Sequence, residues 1–107
     1  MNRLAAAAAM SLAFAAFAAD EPEFRLVIEN HKFTPEKVEV PAGKKVKLVI
    51  ENRDSTPEEF ESSSLKREKV IPGKSTGTVF IGPLKPGEYP FIGEYNEKTA
   101  KGTIVAK

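Results

Sequence analysis

From Phe24 onward the chain is a succession of short alternating apolar runs, each closed by proline, glycine or a polar turn cluster. No stretch repeats on a helical period, so the runs read as strands rather than helices. In FRLVIEN, Phe24, Leu26 and Ile28 share one face while Arg25, Val27 and Glu29 share the other. HKFTPEKVEVPAGKK turns Phe33 inward, then supplies a short strand, Lys37–Val40, and a Pro-Ala-Gly turn. KVKLVIEN puts Val46, Leu48 and Ile50 on one face, and RDSTP has turn chemistry. EEFES is a brief strand centred on Phe60, and a second short strand lies around Glu68–Ile71. TGTVFIG, PLKPGEYPFIG and KGTIVAK complete the series. About seven short strands at this spacing predict an all-β chain, a Greek-key β-sandwich. In LKPGEY a tyrosine follows a Leu-x-Pro-Gly turn, the composition of a tyrosine corner. The Tyr89 hydroxyl is therefore expected to bond back to nearby backbone.

The first residues depart from this pattern. MNRLAAAAAMSLAFAAFAAD has a basic start at Arg3, an apolar run from Leu4, and Ala16-Phe17-Ala18 in the small-x-small arrangement of a cleavage site. The apolar run is only about 15 residues, short of the ~20 that a spanning helix needs. The organisation predicts a bacterial signal peptide over 1–18, a single domain over 19–107, and a periplasmic location. Removing 18 of the 107 residues leaves 89. Loss of Arg3 takes the basic count from 16 to 15, equal to the 15 acidic residues. That balance argues against a nucleic-acid partner, and there is no basic block suited to a membrane surface. Cysteine is absent, so an exported chain of this size depends on its core alone. Both methionines, Met1 and Met10, leave with the signal peptide, and His31 is the only histidine.

Two segments, VEVPAGKKVKLVIENRDSTPEEF and GEYPFIGEYNEKTAKGTIVAK, resemble the cupredoxins, the blue-copper fold. The resemblance runs from about Phe24 to Lys107. In that family the first copper histidine follows a proline in a P-H-x-F/V stretch. Here the stretch is Pro57-Glu58-Glu59-Phe60, so Glu58 stands at the histidine place. The family continues with Tyr-x-Phe-x-Cys-x-x-His and a methionine a few residues on. Tyr89 and Phe91 match, but Gly93 holds the cysteine place, Asn96 the histidine place, and the methionine place falls near Lys101. A type-1 copper centre needs a thiolate, imidazoles and a weak axial ligand. The processed chain has no sulfur and one imidazole, which excludes blue-copper electron transfer and structural zinc of the Cys/His kind.

Oxygen donors remain. PEEFESSSLKREK places Glu58, Glu59, Glu61 and Glu68 close together. Residues two apart in a strand share a face, roughly 6.5–7 Å apart. Glu59 and Glu61 are thus expected opposite Phe60, with Glu58 on the side of Phe60 and Glu68 folding back beside the first pair. Clustered carboxylates raise one another's pKa unless a cation neutralises them. That cation is either a metal or the side chains of Lys66, Arg67 and Lys69 on an ordinary solvated face; spacing leaves both open. One residue of register would exchange Glu58 for Glu59 on that face.

The wording EFESSSLKREKVIPG followed by IGPLKPGEYPF is similar to a subgroup of small periplasmic cupredoxin-like proteins and domains that accompany iron permeases. That resemblance implies metal ligands at Glu59, Glu61 and Glu68. It adds Glu94 from the terminal loop, although Asn96 replaces the histidine that often follows there. His31, in ENHKFTP, is a further candidate from the loop leaving the first strand. Iron or copper held by carboxylates is the implied cofactor. The partners are then a membrane iron permease and other periplasmic components of uptake, with the site within one chain or across a homodimer. A ferroxidase-type role is left open, because nothing identifies an electron acceptor. The chain shows no nucleophile–base pair and no phosphate loop. The alternatives are a metal-free interaction module, whose glutamates pair with Lys66, Arg67 and Lys69, and a copper carrier.

Overall fold

A computed structural model describes residues 21–107, and the proposed signal peptide, 1–18, lies outside them. Nine strands follow one another: β1 (Glu23–Glu29), β2 (Lys32–Thr34), β3 (Lys37–Val40), β4 (Val46–Asn52), β5 (Glu58–Ser62), β6 (Arg67–Ile71), β7 (Ser75–Ile81), β8 (Gly87–Gly93) and β9 (Lys101–Ala106). One turn of 3-10 helix, Glu94–Asn96, sits between β8 and β9. A four-stranded sheet in the order β2-β1-β4-β7 faces a five-stranded sheet in the order β3-β9-β8-β5-β6. The β1/β4 and β3/β9 pairs are parallel and the other pairs antiparallel. The strand count exceeds the sequence expectation chiefly because β2, at three residues, is too short for alternation to reveal it.

The alternation read from the sequence lies between the sheets. Leu26 and Ile28 of β1, with Val46, Leu48 and Ile50 of β4, are buried against Phe60, Ile71, Phe91 and Ile104. Each such side chain contributes on the order of 1.5–3 kcal/mol when removed from water. Phe33, Phe60 and Phe91, from β2, β5 and β8, form one aromatic cluster. Phe33 meets Phe91 edge-on at 4.9 Å and Phe60 edge-on at 6.3 Å, and Phe60 lies tilted on Phe91 at 5.1 Å. The cluster lies in the core on the inward side of β5.

Two side-chain bonds anchor β8. Tyr89 donates its hydroxyl to the Lys85 carbonyl at 2.7 Å, the corner expected from LKPGEY. Ser62, buried at the end of β5, donates to the Pro90 carbonyl at 2.7 Å and accepts the Leu65 amide at 3.2 Å. Its hydroxyl thus extends the bonding between β5 and β8 beyond the paired residues Phe60–Gly93 and Glu61–Ile92.

Candidate metal centre

Strand β5 separates its glutamates by period. Glu58, Phe60 and Ser62 are buried, whereas Glu59 and Glu61 are half-buried on the outer face. Register then gathers further acids beside them. Glu61 lies directly across from Glu68 of β6. On the other side Phe60 pairs with Gly93, which places Glu94, the next residue, alongside Glu59. The Glu94 carboxyl comes within hydrogen-bonding reach of both Glu59 and Glu61. A bond between two carboxyls requires a retained proton, since an ionised carboxylate only accepts. The Glu94 bond, then partial desolvation, then the charges of Glu94, Glu68 and Glu58 raise the Glu59 pKa. The same bond, with desolvation and the charges of Glu94, Glu68 and Glu59, pushes Glu61 up to about 7. Four of the six candidate ligands, Glu59, Glu61, Glu68 and Glu94, thus meet on one face.

No ion pair among the described residues involves any of these four. Register supplies the reason. Arg67 pairs with Ser62 and Lys69 with Phe60, so both side chains leave β6 on the face opposite Glu68. The Arg67 guanidinium donates instead to the carbonyls of Phe80, at 2.9 Å, and Lys66, at 3.1 Å. With no basic partner, the like charges raise the Glu59 and Glu61 pKa values instead. Among the described residues, no three His, Cys, Asp or Glu side chains converge in an arrangement ready to hold a metal. A cation bound here would have to draw the carboxyls round it, displacing any proton they retain.

Glu58 stands apart from this cluster. It is 1% exposed, and its carboxylate lies inside the end of the sandwich. Oε1 accepts the amides of Glu59, at 2.9 Å, and Tyr95, at 2.8 Å, while Oε2 accepts the Asn96 side-chain amide at 2.7 Å. A Cβ at Gly93 would lie 2.6 Å from the Glu58 Cδ, 2.8 Å from its Oε2 and 2.7 Å from the Ala100 Cβ. The three positions matching copper ligands, 58, 93 and 96, do converge as the resemblance implies. They hold a carboxylate, no side chain and an amide, and the carboxylate occupies the space a thiolate would need. This donor set does not fit type-1 copper.

His31 is also placed elsewhere. Asn30 and His31 have φ of 55° and 58°, and they form the two-residue turn between β1 and β2 that closes at the Glu29–Lys32 pair. Positive φ at both central residues characterises hairpin turns of this length. Their amides donate to the Asp54 carboxylate at 2.8 and 3.0 Å, and the His31 ring lies 3.6 Å from the same group. The His31 amide bond is the largest influence holding the Asp54 pKa below its ordinary value. The imidazole thus faces Asp54, and only the His31 carbonyl reaches the terminal loop, where it accepts the Thr99 hydroxyl at 2.6 Å.

Reading by ligand type missed Asn96 and Gly93, which counted only as lost copper ligands. The signal was present as a complementary exchange. Where the family places two histidines and a cysteine, this chain has an acceptor, a donor and an unoccupied Cβ position.

The sequence profile described as Cupredoxin-like domain matches residues 2–106. An uncharacterized protein of Rickettsia prowazekii (strain Madrid E) is 43% identical over 83 residues, which is 78% of this chain; the alignment spans 66%, just under two thirds, of that relative's length. A solved copper binding protein in its apo form superposes with a TM-score of 0.70 at 20% identity, covering 79% of this chain and 86% of that one. Auracyanin A, a blue copper protein of Chloroflexus aurantiacus, gives 0.67 at 14% identity, over 82% of this chain and all (100%) of that one. The metal binding domain of the Cu(I) exporting P-type ATPase CopA of Streptococcus pneumoniae D39 gives 0.67 at 14%, over 79% and 84%. At these identities the likeness to the solved structures is one of fold.

Proposed function

This chain belongs to the cupredoxin-like domain family, and from that premise we propose that it is an exported metal-binding protein of iron uptake that holds iron on its acidic sheet face and passes it to a membrane permease. Glu59, Glu61 and Glu94 supply the donors, with Glu68 beside them. The observation that carries this reading is the gathering of Glu59, Glu61 and Glu94 on one face by strand register, without an ion pair to a basic side chain among the described residues. Anionic oxygens suit hard and borderline cations better than soft ones, which favours iron over Cu(I). They also stabilise the higher charge of Fe³⁺ over Fe²⁺. The resemblance of EFESSSLKREKVIPG to iron-permease companions supports the same assignment. Glu58 and His31 lie outside the proposed ligand set, because one is enclosed by amides and the other faces Asp54.

A second reading is a metal-free docking module. It is favoured by the closed 58–93–96 position and by the absence, among the described residues, of a converged metal arrangement. Calorimetric titration with Fe²⁺ under anaerobic conditions, and separately with Cu²⁺, separates the two. The iron reading expects micromolar or tighter Fe²⁺ binding that Glu59→Gln and Glu61→Gln each abolish or weaken strongly. With Glu61 at about 7, apparent affinity should fall roughly tenfold per pH unit below that value if one proton is displaced. No binding of either metal by the parent protein removes the metal reading and leaves the docking module. Binding of Cu²⁺ alone makes the chain a copper carrier.

A further inference from the structure

We propose that Glu58 is the positioning residue of the acidic face: an anion built into the fold, whose buried carboxylate holds the Glu94–Asn96 turn so that Glu94 meets Glu59 and Glu61. The inference deepens the metal-site reading, but its geometry stands without a metal. A glutamate is almost never fully buried unless its charge is compensated. Glu58 is the one buried acid among the described residues, and no basic side chain accompanies it there. Its compensation comes from three N–H donors at 2.7–2.9 Å, two of them 37 and 38 residues away along the chain. Charge-assisted bonds of this length are among the stronger ones available to a side chain.

The connectivity gives these bonds their purpose. The β5–β8 ladder ends at the Phe60–Gly93 pair, and beyond it the bonds to the Tyr95 amide and the Asn96 side chain come from Glu58. The loop's own bonds, Gly93 to Ala100 at 2.9 Å and Ala100 to Asn96 at 2.8 Å, fold it upon itself, and Thr99 ties its far end to the His31 carbonyl at 2.6 Å; none of these reaches β5. The 3-10 turn has no side-chain cap of its own. Glu58 satisfies the Tyr95 amide within that turn, so the residue next to Glu94 is held from below by the strand whose outer face carries Glu59 and Glu61. One strand thus presents two glutamates outward and uses a third, inward, to bring a fourth to them.

The test uses the full chain, with two readouts that need no metal: NMR amide exchange at Tyr95, and nuclear Overhauser contacts between the Glu94 and Glu61 side chains. Glu58→Ala should accelerate Tyr95 exchange and erase those contacts. Formate, a small carboxylate able to enter the emptied donor pocket, should restore both. Asn96→Asp sets a second carboxylate against the first and should release the turn; adding Glu58→Gln to it should re-dock the turn through a reversed amide–carboxylate pair. Fe²⁺ affinity, where the parent binds, should fall roughly tenfold or more in Glu58→Ala, as for residues that orient metal ligands. Unchanged exchange and contacts in a folded Glu58→Ala protein overturn the proposal. So does failure of Glu58→Gln to correct Asn96→Asp, which decides the matter if Glu58→Ala does not fold. A parent that binds no iron overturns the metal reading, while the exchange and contact results still decide the role of Glu58.

Discussion

Replacing Gly93 with alanine should destabilise the protein by about 2–4 kcal/mol, through crowding and loss of the Glu58 bonds together. The new methyl group would lie 2.7 Å from the Ala100 Cβ and 2.6 Å from the Glu58 Cδ. Optimal carbon contacts are about 3.5–4.0 Å, so the shortfall approaches 1 Å on two sides. Ala100 is 0% exposed, and both its carbonyl and its amide are bonded within the loop. Glu58 is therefore the group that yields. Overpacking of a buried site usually costs about 1–3 kcal/mol, and each bond lost from a charged acceptor about 1.5–3 kcal/mol, with incomplete additivity. Urea unfolding is the assay. With slopes of about 1–3 kcal/mol/M, the midpoint should drop by on the order of 1–2 M. The decisive comparison is a double-mutant cycle with Glu58→Ala. Once the carboxylate is gone, two of the three closest contacts of the new methyl are removed, and Gly93→Ala should cost on the order of 1–2 kcal/mol less than in the parent. A Gly93→Ala protein within about 0.5 kcal/mol of the parent, or effects that simply add, would show that Glu58 does not fill the space beside Gly93.

Two further outcomes follow from the same geometry. Glu61 has a folded pKa of about 7 against an ordinary 4.5, so between those values the folded state holds more protons than the unfolded one, and this group's contribution to stability falls as pH rises. Thermal midpoints recorded from pH 4.5 to 8 should show that decline in the parent and a weaker one in Glu61→Gln; identical profiles would remove the shared proton from the account. Glu51 and Asp54, whose pKa values are lowered, act in the opposite sense and below that window. Tyr89→Phe loses the 2.7 Å bond to Lys85 and should cost about 1 kcal/mol in urea unfolding, with Fe²⁺ affinity unchanged.

Much of the acidic face was legible in advance, because strand periodicity is a local property. The order Glu58-Glu59-Phe60-Glu61 sets Glu59 and Glu61 on one face and Glu58 on the other, and the structure fixes the register that turns Glu58 inward. The same rule, applied to Arg67-Glu68-Lys69, separates Glu68 from Arg67 and Lys69, while Lys66 lies in the turn before β6 with a φ of 57°. His31 was misleading as a candidate, since its chemistry suggests a ligand while its place after Asn30 suggests a turn. Backbone conformation prevailed, with both amides committed to Asp54.

The sequence by itself determined the sandwich, the tyrosine corner, the alternation within β5 and the exclusion of a thiolate copper centre. Each follows from neighbours along the chain or from residue types that are absent. Only the tertiary structure decided what Glu58 does, where Glu94 lies and why position 93 carries no side chain. Those outcomes depend on groups from β5 and the β8–β9 loop meeting within 3 Å after the sheet has assembled. A buried carboxylate is defined by the donors around it, and two of the three that hold Glu58 arrive from more than thirty residues away.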